Sequence, residues 1–187
     1  DMFFSPESFI CTQSPIPQVA VIHDLNFEHF PEYLPPIVDN YYKKWTRAAS
    51  KKAAYKATVS AFSKQDIAAT YKIDSSKIGV VYNGINQHFK PLSETEKDAV
   101  RKKYAQGSRY VLYTGSLHKR KNAANMVRAF AQYIQRHQPL LKFVFVSDEK
   151  RMEDDLKQAI AETAIQDHLL FTGRLTSEAL AQVTASA

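Results

Sequence analysis

The stretch "YVLYTGSLHKRKNAANMVRAF", from Tyr110 to Phe130, decides the fold. Tyr110 to Tyr113 is a short apolar run of the kind that forms a buried strand, and Gly115 follows its end. From Asn122 to about His137 apolar residues recur at helical spacing. Between strand and helix stand His118, Lys119, Arg120 and Lys121 in a row. A strand that passes through a turn into a helix is half of a βαβ unit.

The same alternation continues on both sides. Downstream come a strand Leu141–Val146, a helix from Lys150 to Thr163, a strand Leu169–Thr172 and a helix from Thr176. Upstream, a charged helix spans about Glu94 to Tyr104. Before it, "INQHFKPLSETEKDAV" is polar with a proline and reads as a linker. "IGVVYNG" is a buried strand ended by the turn pair Asn83-Gly84. Ser63 is placed to cap a helix to Tyr71, with Asp66 as its capping-box partner, and "ATVSAF" gives a short strand and turn. From Ile37 to about Lys56 the pattern is helical, with Ile37, Tyr41, Trp45 and Ala48 on one side. Lys43, Lys44, Arg47 and Lys51 cluster on another. "FPEYLPP" is a proline-broken loop, and "VAVIHDL" is a strand that ends at Ile22 and meets the pair His23-Asp24. Strands alternating with helices of this length predict an α/β fold with parallel sheets. We expect two pieces, residues 1–88 and 89–187, joined through the polar stretch.

The 187 residues are 44% apolar, enough for real cores. A net charge of +6 favours acidic partners: phosphates, nucleic acid or anionic lipid. A single Cys11 excludes an internal disulfide and a cysteine zinc site, and fits a reducing compartment. No apolar run approaches the length of a membrane helix. The chain starts at Asp1 and ends within a helical pattern, so we expect a segment of a longer protein.

In open parallel sheets ligands bind outside the carboxyl ends of the strands. Gly115 lies just past such an end, and the next helix offers unpaired N–H groups and the positive end of its dipole. Arg120 can grip phosphate oxygens in a fork and Lys121 acts as a mobile charge. Together they make a diphosphate seat; the alternative is a solvated cationic loop, and spacing alone does not separate the two. His23, after another buried strand, can bind a hydroxyl-rich ligand or move a proton, or it can be a structural histidine bonded to a carbonyl. The basic helix face can lie on anionic lipid or face water. Tyr41, Tyr42 and Trp45 permit base stacking, but no nucleic-acid motif is present. G-x-G-x-x-G, the P-loop, D-x-D, H-E-x-x-H and G-x-S-x-G are all absent from the sequence. Glu153, Asp154 and Asp155, beside Lys150, Arg151 and Lys157, read as an exposed charged face.

Four stretches in order, "VIHDLNFEHFPEYLP", "VSAFSKQDIAATYKIDSSKIGVVYNGIN", "YTGSLHKRKN" and "LLFTGRLTSEALAQV", resemble the family 4 retaining glycosyltransferases of GT-B architecture. The resemblance runs over nearly the whole chain. It implies parts of two Rossmann-like domains: an N-terminal one for a glycan or lipid-linked acceptor, and a C-terminal one for a nucleotide-diphosphate sugar donor. It implies that Arg120 and Lys121 meet the donor diphosphate, with Gly115 and Ser116 allowing close approach. His23 matches a histidine near the transferred sugar, and Gly173, Arg174 and Leu175 match a segment near the base. It further implies a metal-independent enzyme with no cofactor beyond the donor substrate, no nucleic-acid partner, and a cytoplasmic site. Lys43, Lys44, Arg47 and Lys51 would give peripheral contact with the inner membrane face. The sequence departs from the family at Ser116, where many members carry Arg, and at "SDEK", where a glycine often follows the strand. The family's first strand is expected before Asp1 and its Glu-x7-Glu element after Ala187, so the chain alone is expected to be a poor catalyst. The rival readings are a non-catalytic GT-B-like module that binds anionic sugars or a protein partner, and a nucleic-acid or membrane-surface binder acting through the basic helix.

Overall fold

In the computed structural model, which describes every residue except Gln138, helices alternate with two parallel sheets. The chain divides into two units, Asp1–Gly84 and Ile85–Ala187; no turn forms at Asn83-Gly84, and the next turn is at Gln87-His88.

In the first unit β1 (Phe3–Ser5), β2 (Gln18–Val21), β3 (Tyr55–Thr58) and β4 (Ile78–Val80) pair in that order, all parallel. β1 was not legible as a strand in the sequence. α1 (Asn26–His29) precedes the stretch expected to be loop, and a single 3-10 turn at Pro31–Tyr33 lies within it. α2 (Pro36–Lys52) stops short of Lys56 because Ala53 is already extended, and Lys56 belongs to β3. α3 (Ala61–Tyr71) is capped by Ser60, not Ser63: the Ser60 hydroxyl accepts the Ser63 N–H at 3.0 Å. Asp66 instead accepts from His29 at 2.8 Å and from Thr70 at 3.2 Å.

α2 turns the opposite face to the protein from the one its apolar residues suggest. Asp39, Thr46, Ala49 and Ser50 are buried, while Ile37 is 80% exposed and Tyr41 50% exposed. The reason is size. Ala49 packs with Ala53, Ala20 and Ile10, and small side chains let a helix lie close to a sheet where aromatic rings would not fit. The displaced Tyr41 ring contacts Trp45 of the same helix at 6.3 Å and Phe9 at 5.3 Å. A second cluster of Ile22, Leu25, Phe27, Ile67 and Ile78 holds α1 and α3 to the sheet. The Glu28 carboxylate ties three helices together. It accepts two bonds from the Arg47 guanidinium, at 2.8 and 2.7 Å, and one from the Tyr71 hydroxyl at 3.0 Å. Burial, reinforced by that carboxylate, raises the Tyr71 pKa, so the phenol stays a donor.

In the second unit α4 (Glu94–Ala105) precedes β5 (Arg109–Thr114), α5 (Ala123–His137), β6 (Leu141–Val146), α6 (Asp154–Thr163), β7 (Leu169–Phe171) and α7 (Ser177–Ala185). The strand order is β5-β6-β7, all parallel, with Arg109 opposite Leu141 and Phe143 opposite Leu169. Phe143 and Phe145 of β6 join Val127 and Phe130 of α5 and Leu156 and Ala159 of α6 in one core. Val144 joins Val100 of α4 and Val183 of α7 in another. A strand covered on both faces needs apolar residues of both parities, which is why "FVFV" is continuous rather than alternating. α6 starts at Asp154 rather than Lys150. The Asp148 carboxylate accepts the Lys150 N–H at 3.0 Å and closes a separate 3-10 turn, Glu149–Arg151.

Candidate functional site

Parallel pairing brings Thr114, Val146 and Phe171, the last residues of β5, β6 and β7, to one edge of the second sheet. A cavity of about 670 Å³ opens there. Gly115, Ser116 and His118 line it from the loop after β5. Ser147, Asp148, Arg151 and Glu153 line it after β6, and Gly173, Arg174 and Leu175 after β7. Five of the residues singled out by sequence therefore converge: Gly115, Ser116, Gly173, Arg174 and Leu175.

The backbone explains the two glycines. Gly115 has φ +146° and Gly173 φ +71°, regions that residues with a Cβ adopt only under strain. The turn at Gly115 is pinned from below. Buried Tyr113 donates its hydroxyl to the Ser116 carbonyl at 2.6 Å and packs on Phe145 at 5.3 Å. Burial raises the Tyr113 pKa, which keeps the hydroxyl protonated as a donor.

Arg120 and Lys121 do not line the cavity. Both are exposed on a 3-10 turn of their own, Lys119–Lys121, that begins at the cavity-lining His118. The His118 Nδ1 accepts the Arg120 N–H at 3.3 Å, and the Lys121 N–H donates to the His118 carbonyl at 2.8 Å. Asn122, at φ +58°, then redirects the chain, and α5 begins one residue later than the cations suggest. Glu153, expected on an exposed helix face, lies in the cavity wall. Its Oε2 accepts the Lys119 N–H at 3.1 Å and its Oε1 is 3.9 Å from the His118 Nε2. The signal that could have found it is its place at the start of a helix just past the carboxyl end of β6.

His23 is in the first unit, exposed at the carboxyl end of β2, where its Nε2 bonds the Pro6 carbonyl at 2.9 Å. A carbonyl only accepts, so Nε2 carries a hydrogen. Asp24 next to it accepts the Asn26 N–H at 3.0 Å and opens α1. The basic face of α2 is smaller than its sequence suggests. Lys43 is paired to Asp39 at 2.7 Å and Arg47 to Glu28 at 2.7 Å, while Lys44 lies over the Trp45 ring at 5.4 Å. Among the described residues no helix is long and apolar enough to cross a membrane.

Two parallel α/β units, one with a cavity at its carboxyl edge, have the architecture of GT-B glycosyltransferases. The chain superposes with a TM-score of 0.72 on the Anabaena protein Alr3699/HepE, whose structure is a complex with UDP and glucose, over 92% of this chain and 45% of that one, at 19% identity. It superposes with a TM-score of 0.70 on the sucrose-phosphate synthase of Thermosynechococcus elongatus, over 94% of this chain and 44% of that one, also at 19% identity. At that identity the likeness is one of fold. The chain is 32% identical over 89 residues to the O-antigen chain mannosyltransferase RfbU of Salmonella typhimurium, covering 45% of this chain and 25% of that protein. It thus spans less than half the length of these relatives. Residues 4–89 match the family model described as Glycosyltransferase Family 4 and residues 94–187 the one described as Glycosyl transferases group 1. The chain belongs to the family 4, group 1 glycosyltransferases.

Proposed function

We propose that this chain forms part of a retaining, metal-independent glycosyltransferase that moves a hexosyl group from a nucleotide-diphosphate sugar to a glycan or lipid-linked acceptor. The observation that carries the reading is the second unit's cavity at the carboxyl edge of its sheet, flanked by the cationic turn Lys119–Lys121 and containing Arg151 and Arg174. The base lies against Gly173, Arg174 and Leu175, and the diphosphate against the Gly115-Ser116 backbone, with Arg120 and Lys121 adding positive charge from the turn beside the cavity. As the sugar departs, negative charge grows on the leaving diphosphate, and positive groups fixed near it lower the barrier. Cations that do this work directly give the reaction no need of a metal. His23, whose Nε2 is engaged by the Pro6 carbonyl, is assigned to sugar transfer on its match to the family's histidine. Complexes of UDP and glucose with the Anabaena protein favour a nucleotide-sugar donor, and the Salmonella mannosyltransferase favours a glycan acceptor.

The test is sugar transfer by the full-length protein, with chelator present and the anomeric configuration of the product read by NMR. Lys121→Ala removes a charged contact worth roughly 1.5–3 kcal/mol, so donor turnover should fall about tenfold to a hundredfold. Near-normal turnover would remove Lys121 from the diphosphate. His23→Ala should reduce transfer more than nucleotide binding; a loss of folding alone would make His23 structural. Binding without transfer at full length would favour the non-catalytic module.

A further inference from the structure

We propose that Glu153 is a positioning residue: it holds the backbone of the turn Lys119–Lys121 in the shape that aims Arg120 and Lys121 at a diphosphate. The inference rests on the reading of that turn as a diphosphate contact and adds the residue that sets its geometry.

Glu153 occupies the N-cap of α6, yet its side chain makes no bond to that helix. The caps Ser60, Ser93 and Thr176 all accept from their own helices. The Glu153 carboxylate instead crosses 34 positions in sequence to take the Lys119 N–H at 3.1 Å. Lys119 is the first residue of the turn, where the N–H has no partner within it. The other carboxylate oxygen is 3.9 Å from His118, whose Nδ1 caps the same turn. Glu153 therefore meets the turn at both its cap and its first residue. Stability does not explain the contact well: the His118 and Glu153 side chains are each 40% exposed, and exposed ion pairs contribute little. Affinity does not explain it directly either, because a carboxylate in the wall of an anion cavity repels a diphosphate. What it does supply is order in a segment of three adjacent cations, Lys119, Arg120 and Lys121, that repel one another.

The two effects of Glu153 have opposite signs, which makes the inference decidable. If charge alone mattered, Glu153→Ala would tighten diphosphate binding. If the backbone bond matters, Glu153→Ala weakens it. Glu153→Gln keeps an acceptor for the Lys119 N–H and removes the charge, so it should bind as well as the parent or better.

The experiment is calorimetric titration of the full-length protein with UDP and with GDP. The expected order is Glu153→Gln at or above the parent, and Glu153→Ala about tenfold weaker, the size of one bond to a charged group. A second pair guards against an unfolded variant. His118 is extended, with ψ 139°, so a proline fits after it, and proline is tolerated at the first position of a helical turn. Lys119→Pro removes the N–H and the charge, Lys119→Ala only the charge. Lys119→Pro should bind several-fold more weakly than Lys119→Ala, and adding Glu153→Ala to it should cost nothing further. Glu153→Ala binding as tightly as the parent, or Lys119→Pro equal to Lys119→Ala, overturns the positioning role alone. A parent that binds neither UDP nor GDP overturns the donor site itself, and this inference with it.

Discussion

α2 and α5 are both amphipathic, and they use their apolar residues in opposite ways. α5 buries Val127, Phe130 and Ala131 against β6, as its periodicity indicates. α2 buries Asp39, Thr46, Ala49 and Ser50 and leaves Ile37 and Tyr41 in solvent. Periodicity states where apolar side chains gather on a helix. It does not state which side meets the sheet, because that depends on how closely the helix must approach. Phe143 and Phe145 meet a mixed face of α5, with Val127 and Phe130 among three buried alanines. Ala20 under α2 calls for small side chains.

Paired substitutions should split the two helices most widely. Val127 is fully buried, so Val127→Asp places a carboxylate in an apolar core at a cost of several kcal/mol and should unfold the second unit. Ile37→Asp, on the outward face of α2, should change stability by less than about 0.5 kcal/mol. Urea denaturation followed by circular dichroism measures both. A large loss from Ile37→Asp would mean that the outward face is covered in solution, and the contrast would disappear.

A smaller effect is expected within the buried face of α2. The Thr46 hydroxyl is buried, and among the described residues it has no hydrogen-bond partner. Thr46→Val keeps the shape and removes the unpaired group, so it should stabilise the first unit by about 1 kcal/mol. The same denaturation experiment reads it. A loss of similar size would mean that the hydroxyl has a partner in solution and that the polar face is chosen, not merely tolerated.

The contrast also explains what the sequence made legible. Every strand of the second unit could be read, because a sheet covered on both faces leaves continuous apolar runs such as Phe143–Val146. β1 could not be read, because only Ser5 of its three residues is buried. Gly115 was legible from its place past a strand end and Gly173 through the family resemblance, and both prove to have positive φ. The positive charge of Arg120 and Lys121 was legible, but their placement on a turn outside the cavity wall was not. Whether consecutive cations enter a helix or form a turn is settled by His118, Glu153 and Asn122, which no periodicity connects. Glu153 was hidden for a related reason: in sequence, a carboxylate among lysines and arginines looks the same whether it faces water or a neighbouring turn.

The smallest expected difference lies in how the two units cap their helices, and pH exposes it. At α4 the Glu96 carboxylate accepts from the Ser93 hydroxyl at 2.6 Å and from the Ser93 N–H at 2.8 Å, and these bonds hold its pKa below the ordinary carboxylate range. Glu94 is lowered too, chiefly by its bond to Lys97. A depressed folded pKa favours the native state above the unfolded value, near 4.3 for Glu, and that contribution is lost as pH falls through the folded value. At α3 the cap is Ser60 on Ser63, with no acid in the first turn, so nothing there titrates. Amide NMR shifts followed from about pH 6 to about pH 3 should move Ser93 with the Glu96 titration and leave Ser63 in place. A matching titration at Ser63 would show that an acid reaches that cap as well. The Asp66 carboxylate, now engaged by His29 and Thr70, would then be the group to replace first.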